Sequence, residues 1–289
     1  MPKVSVIITN YNHEKYLDRR IQSVLDQTYD DFSVTIYDDC STDNSKSIIE
    51  KYRQHPKIEQ VIYNEKNSGG LFKQWEKGIA GAKGEWIWIA QSDDYADSSF
   101  LEVLVNMAGE NDNVGIAFCG SHWIDEEGQE GKDLSLYHKS FFRDGLAEIR
   151  YKLGKQCSVQ NASSAIIRGD LAGEAIKGIG NYKACGDWIF YLRILQRANI
   201  TYTHKKLNYF RWYHSNISNS AKDDGTWIKE GMDVFKNMDY RKIRFSLKEF
   251  YELVRWWGAL IFKSDIENKS KMYSMLVNAA GRYVTGSGL

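Results

Sequence analysis

The adjacent carboxylates Asp93 and Asp94 follow the apolar run Glu85-Trp86-Ile87-Trp88-Ile89-Ala90, after Gln91 and Ser92. Two neighbouring ionised carboxylates repel each other, and a shared cation relieves that repulsion. Magnesium and manganese take oxygen ligands and keep positions open for phosphate, so one or two carboxylates can be the protein's whole share of such a site. An acidic pair also commonly leads a turn, and only its setting distinguishes the two uses. Here the pair lies between a strand-like run and Ser99/Glu102, whose spacing predicts a capping box opening a helix through Leu101, Leu104 and Val105. A second acidic pair, Asp38-Asp39, follows the run Phe32 to Tyr37, and the polar stretch Thr9-Asn10-Tyr11-Asn12 closes the run from Val4. Asp187 opens an amphipathic stretch through Trp188, Leu192 and Leu195, where a carboxylate can serve the helix N-terminus as well as chemistry.

The elements that must hold these groups are legible from periodicity. Val4 to Thr9, then Leu17, Ile21, Val24 and Leu25 at helical spacing, then Phe32 to Tyr37, make a β-α-β opening. The rhythm continues through Ile58 to Tyr63, a helix after Gly70, and Trp86 to Ala90. Strands alternating with helices predict a mostly parallel, Rossmann-like sheet with helices on both faces. Such sheets bind ligands at the carboxyl ends of their strands, which is where the polar clusters fall. Beyond about residue 110 the alternation loosens, with a helix from Asp187 to about Arg197 and strands near 200–203 and 207–213. This predicts a nucleotide-binding half over 1–110, an acceptor-facing half over 111–220 and a helical C-terminal extension over 221–289. In that extension Leu247, Tyr251, Val254, Trp257 and Ile261 read as one stripe with Lys248, Arg255 and Lys263 nearby. The stretch 245–263 therefore suits packing on the domain or a second subunit, as a homodimer, or peripheral contact with an anionic membrane.

Composition narrows the classes. Lys plus Arg and Asp plus Glu both number 38, so no overall field draws the chain to nucleic acid. Cys40, Cys119, Cys157 and Cys185 show neither zinc spacing nor a disulfide framework, which predicts a reducing, cytoplasmic setting. The start enters an apolar strand at Val4 without a basic leader, so no secretion signal is expected. A dinucleotide-dependent oxidoreductase also opens β-α-β, but Asn10-Tyr11-Asn12-His13-Glu14 stands where GxGxxG belongs.

Taken in order, Val4-Ser5-Val6-Ile7-Ile8-Thr9-Asn10-Tyr11-Asn12, Asp38-Asp39-Cys40-Ser41-Thr42-Asp43, Asn67-Ser68-Gly69-Gly70, and Gly84-Glu85-Trp86-Ile87 leading to Asp93-Asp94 resemble glycosyltransferase family 2. The resemblance returns at Gly186-Asp187-Trp188 and Arg211-Trp212-Tyr213-His214. It implies the α/β GT-A fold and inverting, metal-dependent transfer from a nucleotide-diphosphate sugar, UDP- or dTDP-linked, to a glycan or lipid-linked hydroxyl in surface polysaccharide assembly. It further implies Thr9, Tyr11 and Asp39 around the base, Asn67 and Gly70 shaping the nucleotide loop, Asp93 at the ribose, and Asp94 on Mn2+ or Mg2+. Asp187 would be the catalytic base, and Arg211 and His214 would meet the diphosphate, metal or acceptor. Gln91 departs from the Asp-x-Asp-Asp pattern, and a neutral amide cannot supply a carboxylate's charge, so a weaker metal site is expected. A sugar nucleotidyltransferase or a non-catalytic nucleotide- or carbohydrate-binding protein is the alternative.

Overall fold

The computed structural model describes residues 2–212, 220–221 and 223–285. Strands β1 (Val4–Asn10), β2 (Phe32–Asp38), β3 (Ile58–Tyr63) and β4 (Trp86–Gln91) are joined by helices α1 (Glu14–Leu25), α2 (Ser45–Tyr52) and α3 (Leu71–Gly81). β1 is buried along its whole length because helices cover both faces of the sheet. Val4, Val6 and Ile8 pack with Leu17, Ile21 and Val24 of α1. Ile7 points the other way, toward Phe72, Trp75 and Ile79 of α3. A Cβ at Gly78 would lie 2.5 Å from the Ile7 Cγ2, so α3 approaches β1 as closely as only glycine permits.

The remaining strands are β5 (Tyr95–Ala96), β6 (Val114–Ile124), β7 (Phe141–Arg143), β8 (Ala165–Arg168) and β9 (Asn199–Arg211), with helices α5 (Gly145–Glu148) and α6 (Gly169–Ala175) after β7 and β8. They complete one sheet in the order β3-β2-β1-β4-β8-β6-β9-β5, with β7 on β9. The first four strands are parallel, as the crossover helices require. The sheet becomes mixed beyond β4, because β8 runs antiparallel to both β4 and β6. The two late strands expected from the sequence are one strand, β9, whose pairing with β6 shifts register around Gly120. The exposed His204-Lys205-Lys206 at that shift interrupts the apolar pattern and reads as a break.

Two further expectations are corrected. Helix α4 (Phe100–Gly109) begins after Ser99, but no capping box forms there. The Ser99 Oγ donates to Asp97 Oδ1 at 2.6 Å, and Glu102 accepts from Thr28 at 2.8 Å. A complete capping box stands instead at Ser246 and Glu249, opening the helix Leu247–Lys263. That helix buries Phe250, Leu253, Trp257 and Ile261, whereas Leu247 is 78% and Tyr251 67% exposed. At 3.6 residues per turn Tyr251 lies about 120° round from Trp257, so the two cannot share a face. No helix among the described residues is long and apolar enough to cross a membrane.

Candidate functional site

Because β1, β2 and β4 are adjacent and parallel, the residues after them meet at one edge. Asn10 pairs in register with Asp38, and Thr9 with Gln91. Thr9 is buried, and among the described residues its Oγ1 has no hydrogen-bond partner. Tyr11 sits on the following loop, 46% exposed, so its ring is free to stack on a planar ligand. The loops are tied by Asn10 Nδ2 donating to Asp38 Oδ2 at 2.8 Å and by His13 Nδ1 bonded to Ser92 Oγ at 2.8 Å.

Asp39 lies just beyond β2 at this edge. Its Oδ1 accepts from Asn64 Nδ2 at 2.5 Å, Ser68 N at 2.9 Å and Gln74 Nε2 at 2.9 Å. Among the described residues its Oδ2 accepts only from Ser68 Oγ, at 2.7 Å. One oxygen is therefore saturated while the other retains a lone pair for a further donor. Asn67 Nδ2 donates to the Asp39 carbonyl at 3.1 Å, and Asn67 Oδ1 accepts from Gly69 N at 2.7 Å. The left-handed residue of this loop is Gly69, φ 76°, while Gly70, φ 179°, is extended backbone that leads into α3.

Asp94 is enclosed beneath the same edge and Asp93 is half-buried above it. Asp94 Oδ1 accepts from Arg211 N at 2.9 Å, and Oδ2 from Asn161 Nδ2 at 3.1 Å. Burial pushes the Asp94 carboxyl up to about 7; the charge on Asp93 adds to the rise, and Arg20 and the Arg211 N–H oppose it. Among the described residues no group of three or more His, Cys, Asp or Glu is placed to hold an ion. A cation here would take one or two oxygens from the pair and the rest from phosphate and water, which magnesium and manganese accept. The donor set fits that share, because ionising Asp94 in this enclosure carries a cost that a cation lowers.

Arg211 ends β9 almost wholly buried. Its Nε donates to the Asp93 carbonyl at 3.0 Å, and Nη1 to the carbonyls of Asp125 at 2.5 Å and Glu126 at 2.8 Å. Its guanidinium braces the acidic loop from below. His214 lies outside the described residues.

Asp187 opens helix α7 (Gly186–Leu195), half-buried, with Oδ1 accepting from Trp188 N at 2.7 Å. A Cβ on the preceding Gly186 would come within 2.8 Å of Phe72, so the starts of α7 and α3 are packed together beside the nucleotide loop. The Asp187 charge also reaches Cys157, whose thiol it helps raise after burial itself. From Cys157 the chain arrives within four residues at Asn161, the partner of Asp94. Four residues span at most ~14 Å when fully extended. Burial pushes the Asp187 carboxyl up to about 7, with the charge of Glu230 adding to the rise and the backbone N–H groups of Trp188 and Asp187 itself opposing it.

Sequence reasoning missed Asn64, Ser68 and Gln74 around Asp39, Asn161 and Arg20 around Asp94, and Glu230 behind Asp187. Asn64 directly follows β3 but carries no charge to mark it, and the others lie away from strand ends; each is recruited by tertiary contact. Glu230 accepts from the backbone N–H groups of Lys183 at 2.8 Å, Ala184 at 2.9 Å and Cys185 at 2.9 Å, fixing the turn that precedes α7. Replacing a charged acceptor of this kind costs about 1–3 kcal/mol. Glu230→Gln is expected to lower the urea midpoint and to lower the Asp187 pKa, since a negative charge near Asp187 is removed. An unchanged Asp187 titration, followed by NMR, would restrict Glu230 to holding the turn.

Residues 5–170 match the family model described as glycosyl transferase family 2. An uncharacterized glycosyltransferase from Nostoc sp. is 26% identical over 89% of this chain and 86% of its own length. The poly(ribitol-phosphate) beta-N-acetylglucosaminyltransferase TarS of Staphylococcus aureus is 39% identical over 35% of this chain, a match that takes in only 18% of TarS. A crystal structure of S. aureus TarS in complex with UDP-GlcNAc superposes with a TM-score of 0.62 at 23% identity, over 98% of this chain and 73% of that one.

Proposed function

Because the chain belongs to glycosyl transferase family 2, we propose that it moves a sugar from a nucleotide-diphosphate donor to the hydroxyl of a glycan or lipid-linked acceptor, with inversion, in surface polysaccharide assembly. What supports this reading is that Asp39 follows β2 and Asp93 and Asp94 follow β4 on neighbouring parallel strands of one sheet, while Asp187 starts a helix whose first residue packs on Phe72 of α3. TarS has been solved with UDP-GlcNAc, which makes UDP-sugars the first donors to test.

Each group has a task suited to its setting. Tyr11 supplies an exposed ring for the base, Thr9 Oγ1 an unused hydroxyl, and Asp39 Oδ2 the lone pair for a base N–H. Asp93 faces the ribose, and Asp94 is the protein oxygen for Mn2+ or Mg2+, which when bound neutralises the charge developing on the leaving diphosphate. Asp187 takes the acceptor proton as the hydroxyl attacks the anomeric carbon, and the enclosure that raises its carboxyl also makes it a stronger base than a solvated aspartate. Arg211 holds the acidic loop, and His214, beside it in sequence, is a further candidate for the diphosphate or metal.

The test is a panel of nucleotide sugars incubated with the protein and Mn2+, scored for release of the nucleoside diphosphate, which needs no acceptor. Turnover or binding of one donor class is expected, with tighter UDP binding in the presence of the metal. Asp39→Ala is expected to weaken UDP binding by about tenfold or more, because a base-reading hydrogen bond to a charged acceptor is lost. Unaltered UDP affinity in calorimetry would remove Asp39 from the base. Binding of NAD without metal, and of no nucleotide sugar, would overturn the whole reading.

A further inference from the structure

We infer that Arg20 is a built-in counter-cation for the Asp93-Asp94 pair, which depresses the affinity of the site for a free divalent ion and makes the metal arrive together with the nucleotide diphosphate. The inference rests on the donor-site reading above. Arg20 projects from α1 and is fully buried. Its Nε donates to the Gln91 carbonyl at 2.7 Å, its guanidinium carbon lies 5.5 Å from the centre of the Trp88 ring, and its Nη2 stands 4.0 Å from Asp94 Oδ2. Among the described residues neither Nη1 nor Nη2 has a hydrogen-bond partner. A buried guanidinium with two unspent nitrogens acts on its surroundings mainly through charge, and the nearest carboxylate oxygen belongs to Asp94.

Charge counting gives the consequence. Asp93 and Asp94 contribute two negative charges and Arg20 one positive, whereas Arg211 meets this loop through its own backbone N–H and holds carbonyls with its guanidinium. Position 91, the last residue of β4, is a neutral amide whose backbone carbonyl accepts from Arg20. A divalent ion entering alone would therefore leave the pair, Arg20 and the ion with an excess of positive charge, at close range to a guanidinium that cannot turn to water. A nucleotide diphosphate brings the missing negative charge, so ion and nucleotide are each poor ligands alone and good ones together. Arg20 touches neither the substrate nor the reacting atoms, and it sets the binding order through Asp94.

The experiment is a titration of Mn2+ into the full chain, without and with saturating UDP, followed by calorimetry and by the electron paramagnetic resonance of free Mn2+. The wild type is expected to bind Mn2+ weakly alone and strongly with UDP. Arg20→Met, which removes the charge and keeps much of the volume, is expected to tighten binding of Mn2+ alone by about tenfold or more. Arg20→Lys, which keeps the charge, is expected to match the wild type. Equal affinity for Mn2+ alone in Arg20→Met and wild type overturns the inference, as does micromolar binding of Mn2+ by the nucleotide-free wild type, a result that depends on no variant folding. If the wild type binds neither Mn2+ nor Mn2+ with UDP, the donor-site reading itself fails. Mn2+-dependent UDP binding with indifferent Arg20 variants defeats only the role of Arg20.

Discussion

Asp187→Asn is expected to reduce sugar transfer by about 10²- to 10⁴-fold, the range over which a positioned general base contributes, while leaving donor affinity unchanged. The amide keeps the shape of the side chain and an oxygen for the Trp188 N–H, so the start of α7 should persist. What it lacks is a site for the acceptor proton. In the wild type the carboxyl is pushed up to about 7, so kcat/KM should fall about tenfold per pH unit below that value. The same shift has a stability consequence of opposite sign to the activity loss. With its native pKa raised above the ordinary 3.8, the folded protein holds this proton more tightly than the unfolded chain does. The associated stabilisation is complete below about pH 3.8 and is lost as the pH rises through about 7. Above that, the wild type carries an enclosed charge that asparagine does not. Asp187→Asn should therefore be more stable than wild type at pH 8, by on the order of 1–2 kcal/mol after allowance for solvent at a half-buried group, with the gap closing in acid. Product formation and melting temperatures at pH 8 and 5 check both halves. Normal turnover in the variant would remove Asp187 from the base role.

Asp94→Ala carries the other large effect, on binding and fold together. Removing this carboxylate deletes the acceptor of the Arg211 N–H and of Asn161 Nδ2, and leaves the Arg20 guanidinium buried without its counter-charge. Deleting one partner of a buried ion pair typically costs about 3–5 kcal/mol, because the survivor cannot be resolvated. The 4.0 Å separation places this pair at the weaker end of that range. Metal-dependent UDP affinity should be lost in the same variant, and this loss should persist in Asp94→Asn, which keeps the hydrogen-bonding shape and so recovers part of the stability. Combining Arg20→Met with Asp94→Ala should cost less stability than the sum of the single changes, since the orphaned charge is gone. Full manganese dependence in a folded Asp94→Asn would exclude Asp94 as the metal ligand.

The split between what was legible and what was not follows the range of the interactions. The β1 to β4 alternation could be read directly, because apolar periodicity and polar strand ends are local signals. The capping boxes show where local reading fails. Ser99 and Glu102 have the right spacing, but Asp97 and Thr28 compete for their side chains. Ser246 and Glu249 have the same spacing without competitors and form the motif. On Leu247–Lys263 the apolar stripe read from the sequence departs from the buried face at its first turns, because Leu247 and Tyr251 are apolar but face away from the core.

The order of residues in the chain was sufficient by itself to assign the family, the parallel half of the sheet and the acidic residues at the carboxyl ends of β2 and β4, since each depends on residue type and spacing over a few turns. Only the tertiary structure decided which oxygen of Asp39 remains available, that Arg211 is spent on carbonyls, that Glu230 grips the turn before Asp187, and that Arg20 lies under Asp94. Those facts join residues up to 118 positions apart. They are set by how burial and charge are balanced once the sheet has closed, and a one-dimensional pattern carries no record of that balance.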